Sequence, residues 1–162
     1  MTDGGDIDRH LATLLRPSGD AGANVMRREA LDALLEQADE AHPRLLALAA
    51  SDSPPLLALK ALPEFGRRES VAVLERVLHS APGPTTAVAA AALAEHPAEE
   101  AFAALEGALA DTRTQVVLSA LMGLRERGDA RACGALRAVA DEHADEEVRE
   151  RAADAAAQLG CG

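Results

Sequence analysis

Apolar residues recur along this chain at i, i+3, i+4 spacing. Alternation at every second position is absent, β-branched residues are sparse, and no Asn-Gly or Asp-Gly turn separates alternating runs. The pattern predicts an all-α chain. It also repeats. With Val148 as position zero of its helix, small or apolar residues fall at offsets 4, 5, 7, 8 and 11, which lie on one flank at about 100° per residue. The same register starts at Met26, Pro54, Thr85 and Val116, so the zero positions are separated by 28, 31, 31 and 32 residues. A shorter amphipathic segment precedes each of these helices, at 7–16, 43–50, 69–79, 98–110 and 130–142. Turn residues punctuate the pairs at Pro17-Ser18-Gly19-Asp20, Ser51-Asp52-Ser53-Pro54, Ala81-Pro82-Gly83-Pro84, Asp111-Thr112 and His143-Ala144-Asp145. The expected organisation is one domain over 1–162, made of five helical hairpins at 6–38, 41–66, 67–96, 97–128 and 129–160. Pro63, inside the second helix of repeat two, predicts a kink or an early stop there.

Five stacked helix pairs at this period describe an α-solenoid, in which each pair buries its apolar flank against its neighbours. The pattern resembles the HEAT-repeat family, in particular the short bacterial HEAT-like form also found in phycobilisome lyases. Five features carry the resemblance: the turn aspartate, the Val-Arg that opens the second helix, its Ala-Ala and Ala-Leu pairs, and the closing Leu-Gly. Repeat five matches best, through Asp145, Val148, Arg149, Ala152, Ala153, Leu159 and Gly160, and repeat one keeps Asp20, Met26, Arg27, Ala30 and Leu34. The resemblance implies a right-handed superhelix stitched by a ladder of hydrogen bonds between turn Asp and helix Arg. Position one holds Pro55, Thr86 and Val117 in repeats two to four, so the middle rungs of that ladder are expected to be missing, although Asp52 and Asp111 keep the acidic turn.

Charge and composition narrow the function. Sixteen Lys plus Arg against 27 Asp plus Glu give a net charge of −11, and the chain has no Trp or Tyr. Such a field repels phosphate backbones, and stacking platforms and aromatic cages are missing. Direct nucleic-acid binding is therefore not expected. For the same reason the chain is unlike the DNA glycosylases built on HEAT-like repeats, which rely on a basic concave surface and aromatic residues. Lys60 is the single lysine; the predominance of Arg reads as the coding bias of a GC-rich bacterial genome. The acidic start Met1-Thr2-Asp3-Gly4-Gly5-Asp6 lacks the apolar core of a secretory signal, and the most apolar window, 85–94, is too short to span a bilayer, so a cytoplasmic protein with no membrane partner is expected. Cys133 and Cys161 are too few for a disulfide framework and wrongly spaced for a zinc site. Cys133 is read as a small core residue in a reducing compartment.

Catalytic constellations are scarce. There is no Gly-rich phosphate loop and no Gly-x-Ser-x-Gly elbow. His10, His42, His79, His96 and His143 stand near helix ends and turns without an i, i+4 partner and are read as surface or capping residues. Glu99-Glu100 and Glu146-Glu147 are first-turn acids that complement a helix dipole. No catalytic residue, cofactor or metal is expected. In HEAT arrays the second helices line the concave side, where offsets 2, 6, 9 and 10 point away from the core. Repeats one and five place mostly polar residues there. In between come Leu56, Lys60, Pro63 and Glu64; Ala87, Ala91, Ala94 and Glu95; and Leu118, Met122, Arg125 and Glu126. Leu56, Ala87, Ala91, Leu118 and Met122 form a candidate apolar docking stripe, bordered by Glu64, Glu95, Arg125 and Glu126, with Lys60 a further candidate contact. The expectation is a non-catalytic adaptor or regulatory subunit that binds a partner protein with a basic or amphipathic helical segment. The alternatives are a HEAT-like lyase or isomerase acting on a prosthetic group, and an acidic inhibitor or immunity-type protein covering a basic site.

Overall fold

The computed structural model describes residues 4–17 and 19–162. Met1–Asp3 and Ser18, which belong to the acidic start and to the first turn read above, lie outside the described residues. Among the described residues every regular element is helical. The α-helices are α1 (Gly4–Leu14), α2 (Ala21–Glu36), α3 (Ala38–Ala49), α4 (Leu56–Phe65), α5 (Glu69–Ser80), α6 (Pro84–Glu95), α7 (Glu99–Ala108), α8 (Thr114–Arg127), α9 (Cys133–Glu142) and α10 (Glu146–Gln158), with one 3₁₀ turn at Ala130–Ala132 before α9.

The helices start and stop for local reasons. Asp20 and Asp145 are N-caps whose carboxylates accept from the amides of Ala23 and of Glu147 and Val148. The joints after α4 and α8 close on Gly66 (φ 62°) and Gly128 (φ 71°), left-handed conformations that a Cβ would strain. α4 continues through the buried Pro63 but ends two residues later. Its ten residues make it shorter than α2, α6, α8 or α10, so the proline acts as an early stop. The first helix of the second hairpin begins at Ala38 rather than at Pro43. Asp39 and Glu40 in its first turn favour a helix N-terminus, and an exposed proline one turn further in removes a single hydrogen bond.

Each odd-numbered helix packs against the even-numbered helix that follows it. The even helices also touch in succession, α2 to α4 to α6 to α8 to α10, and the odd ones do so from α1 to α7. The chain thus forms two layers of helices with a continuous core of Leu and Ala between them, from Ile7 through Leu34, Leu59, Leu93 and Leu124 to Val148. Pro63 and Ala94, placed by the register on the open face, are buried. Offset 9 lies at the edge of that face, so a small shift in helix rotation turns it inward.

Cross-repeat polar links run mainly along the odd layer. Arg44 pairs with Asp8, Arg67 with Asp39, Arg68 with Glu100 and Arg131 with Glu99, while His79 Nδ1 lies 2.7 Å from Asp111. Asp111 is held by Arg113 and His79, and this holds its carboxyl well below the usual carboxylate range. Arg149 donates to the carbonyls of His143 and Ala144 in its own turn, and these hydrogen bonds close the turn rather than link repeats.

Two further expectations are corrected. Cys133 and Cys161 form a disulfide, with Cα atoms 5.5 Å apart. Their spacing of 28 residues carries them from the start of α9 to just beyond α10, and antiparallel packing brings those two points together. His42 and His96 are buried rather than at the surface, being only 3% and 1% exposed, although His96 does stand at the C-cap of α6. His42 Nε2 lies 2.8 Å from the Ser70 hydroxyl, and burial lowers its pKa. His96 Nε2–H donates to the Arg67 carbonyl, while its Nδ1 accepts the Ala98 amide. Those two partners require the neutral ring, and burial again depresses the pKa.

Candidate functional site

A concavity of about 290 Å³ lies between α6, α8 and α10. Leu118 and Met122 of α8, with Ala87 of α6, supply apolar surface, and Ser119 and Leu121 close the floor. The opposite wall is α10, through Glu147, Arg151, Asp154, Ala155 and Gln158, and Gln115 and Arg125 sit on the α8 side. Glu147 and Arg151 form an exposed ion pair of 3.7 Å one helical turn apart. An exposed pair of this kind contributes little stability, so both charges remain available at the rim.

Helical geometry explains the make-up of the groove. Offsets 2, 6 and 9 of α8, namely Leu118, Met122 and Arg125, lie along one side of that helix and face α10. α10 answers with offsets −1, 3, 6, 7 and 10, a set shifted from that of α8 but overlapping it. The sequence register treated every second helix as if it presented the same edge, and so passed over Glu147, Arg151 and Ala155. A groove between two neighbouring helices is lined by facing flanks, one from each.

Of the predicted stripe, Ala87, Leu118, Met122 and Arg125 come together in this groove, all but Arg125 half-buried. Leu56, Lys60, Ala91, Glu95 and Glu126 do not line it. Leu56 is 40% exposed on α4, Lys60, Glu95 and Glu126 are exposed, and Ala91 is half-buried on α6. Among the described residues no group of three or more His, Cys, Asp or Glu side chains is arranged to hold a metal ion. No helix among them is long and apolar enough to cross a membrane.

The groove rests on a close-packed base. Gly123 of α8 has space for no side chain, since a Cβ there would come 2.8 Å from Leu105 Cδ2 and 3.0 Å from the Ala90 carbonyl oxygen. At offset 11 of the same helix, Arg127 reaches back to the preceding joint. Its Nη1 donates to the carbonyl oxygens of Leu93 (3.2 Å), Ala94 (3.3 Å) and His96 (2.7 Å), and its Nη2 to that of Ala98 (3.4 Å). A guanidinium at the C-terminal end of α6 satisfies carbonyls that the helix leaves open, and opposes its dipole. The hydrophobic pattern could not reveal this role. The signal was present, however, because offset 11 breaks its apolar rule three times, with Gln37, His96 and Arg127. Compared with protein-family models and with curated protein sequences, the chain matches none of either.

Proposed function

We propose that the chain is a HEAT-like α-solenoid of five hairpins, wound as a right-handed superhelix, and that it works in the cytoplasm as a non-catalytic protein-interaction module. Its neighbour-to-neighbour packing in two layers supports the architecture. One observation carries the function. The concavity between α6, α8 and α10 keeps the apolar groups of Ala87, Leu118 and Met122 within reach of solvent, with charged side chains at its rim. A groove of this kind suits the apolar face of a helix, and Met122 adapts to the contour of what enters. The net charge of −11 favours a partner segment with basic residues beside that apolar face.

The test is a pull-down from native lysate, analysed by mass spectrometry at low and moderate salt. Wild type is compared with a Leu118→Glu/Met122→Glu variant whose helicity and melting match it. The expected result is a protein retained by wild type and lost by the variant, with binding weaker at moderate salt. Unfolding of the variant would return both residues to the core, and the absence of a specific protein with either bait would sink the adaptor reading.

A further inference from the structure

We infer that the Cys133–Cys161 disulfide is a reversible redox clasp that sets the position of the α10 wall, and so regulates partner binding in the groove. The inference rests on the groove reading above. α9 and α10 are joined covalently by the His143–Asp145 turn at one end, and the disulfide closes the other, making the hairpin a ring. α9 needs that closure. Of its ten residues only Leu136 is buried, whereas α5 buries Ser70, Val71, Leu74, Val77 and Leu78. Apart from the 3₁₀ turn that leads into it, α9 packs chiefly on α10. The clasp bears on the end of α10, because the left-handed turn at Gly160 (φ 71°) ties Cys161 to that helix through its amide, which donates to the Ala156 carbonyl at 3.0 Å, next to the groove residues Ala155 and Gln158.

Both cysteines are half-buried, so a reductant can reach the bond. The step balances with a dithiol. One of its thiolates attacks a sulfur of the pair, breaking the Cys133–Cys161 bond and leaving a mixed disulfide. Its second thiol resolves that intermediate, so the dithiol ends as a disulfide and both cysteines as thiols, two electrons and two protons having moved. Cys133, as the first residue of α9, leaves as a thiolate that the helix N-terminus favours. In a cytoplasmic protein such a bond is characteristically transient and redox-sensing rather than permanent. Opening a 28-residue loop releases entropy to the unfolded form of the hairpin, equivalent to an opening constant larger on the order of 10²-fold.

The experiment combines hydrogen exchange by mass spectrometry with binding of a synthetic Lys/Leu amphipathic helical peptide as surrogate partner. Three samples are used: air-oxidised protein, the same protein reduced with dithiothreitol, and a Cys133→Ser/Cys161→Ser variant. Faster exchange in residues 152–161 of the reduced and variant samples is expected, on the order of 10²-fold, with α5–α8 unchanged and peptide affinity about tenfold lower. Failure of the cysteines to pair in air, or equal exchange in all three samples, overturns the clasp however the peptide binds. Loosening of α10 with equal peptide affinity overturns its link to the groove. Loosening of α10 with peptide bound by neither form refutes the groove reading itself, and the regulation falls with it.

Discussion

In α6, Thr86, Ala89, Ala90, Ala92, Leu93 and Ala94 are all buried, because that helix meets α4, α5, α7 and α8. In α9 only Leu136 is buried, and α10 is its main support. The two helices come from the same repeated pattern and are held by different physics. Alanines at the centre let backbones approach closely, and each helix is fixed from several sides. The α9–α10 hairpin has a packed neighbour on one side only among the described residues, and a covalent bond makes up part of the difference. A repeat's stability is thus shared with its neighbours, and one with fewer contacts depends on something other than packing.

That comparison can be broken at its strongest point first. Arg127→Met keeps the aliphatic stem but leaves the carbonyls of Leu93, Ala94, His96 and Ala98 without their charged donor. A loss of about 2 kcal/mol is expected, because charge-assisted hydrogen bonds contribute about 1.5–3 kcal/mol each and water replaces some of them. Urea unfolding should show it as a lower midpoint with an unchanged slope. Equal stability would mean that the joint is held by packing alone.

A smaller effect is expected from Gly123→Ala. The added methyl meets a leucine side chain that can shift and the Ala90 carbonyl oxygen, which belongs to the backbone and cannot easily do so. Overpacking of about 1–3 kcal/mol is opposed by a gain of roughly 1 kcal/mol in helix propensity, so a net loss of about 1 kcal/mol is expected. Gly134→Ala in α9, where nothing lies within 4 Å, should stabilise instead. Thermal melts of the two variants would test the contrast directly, and the same sign in both would remove it.

The smallest effect is a pH dependence. The lowered pKa values of His42 and His96 mean that the unfolded chain binds protons more readily than the folded one. Their contribution is therefore complete above the unfolded value near 6.5, and shrinks as pH falls from there toward the folded values. Relief of the −11 net charge acts in the opposite direction over the same range, so the contribution is best read as a difference. The stability gap between wild type and His96→Gln should be widest above pH 6.5 and should narrow on acidification, and a constant gap would contradict the neutral-ring assignment. Asp129, lowered to about 2 chiefly by its hydrogen bond with Arg131, acts in a separate window below the unfolded carboxylate range, where stability is lost as pH falls.

The repeat was legible because helix periodicity is a local property: Leu31, Leu34, Leu59, Leu62, Leu93, Leu121 and Leu124 fall where the register puts them, and all are buried. Asp20 and Asp145 were legible as turn residues, for a capping carboxylate reaches amides only two or three positions away. Four of the twelve residues that line the candidate groove were also readable, as Ala87, Leu118, Met122 and Arg125. The α10 wall was not, because it depends on how two helices are rotated about their own axes, a quantity that a hydrophobic stripe leaves loose by tens of degrees.

The sequence by itself determined the helical class, the period and the acidic, aromatic-poor surface, since each follows from residue identity and from spacing within a turn or two of helix. The tertiary structure alone decided what lies across the chain: the pairing of Cys133 with Cys161, the burial of His42 and His96, and the reach of Arg127 to the preceding joint. Each of these joins residues about 28 to 31 positions apart. At that separation only packing between neighbouring helices brings side chains together, and no local periodicity records which of them will meet.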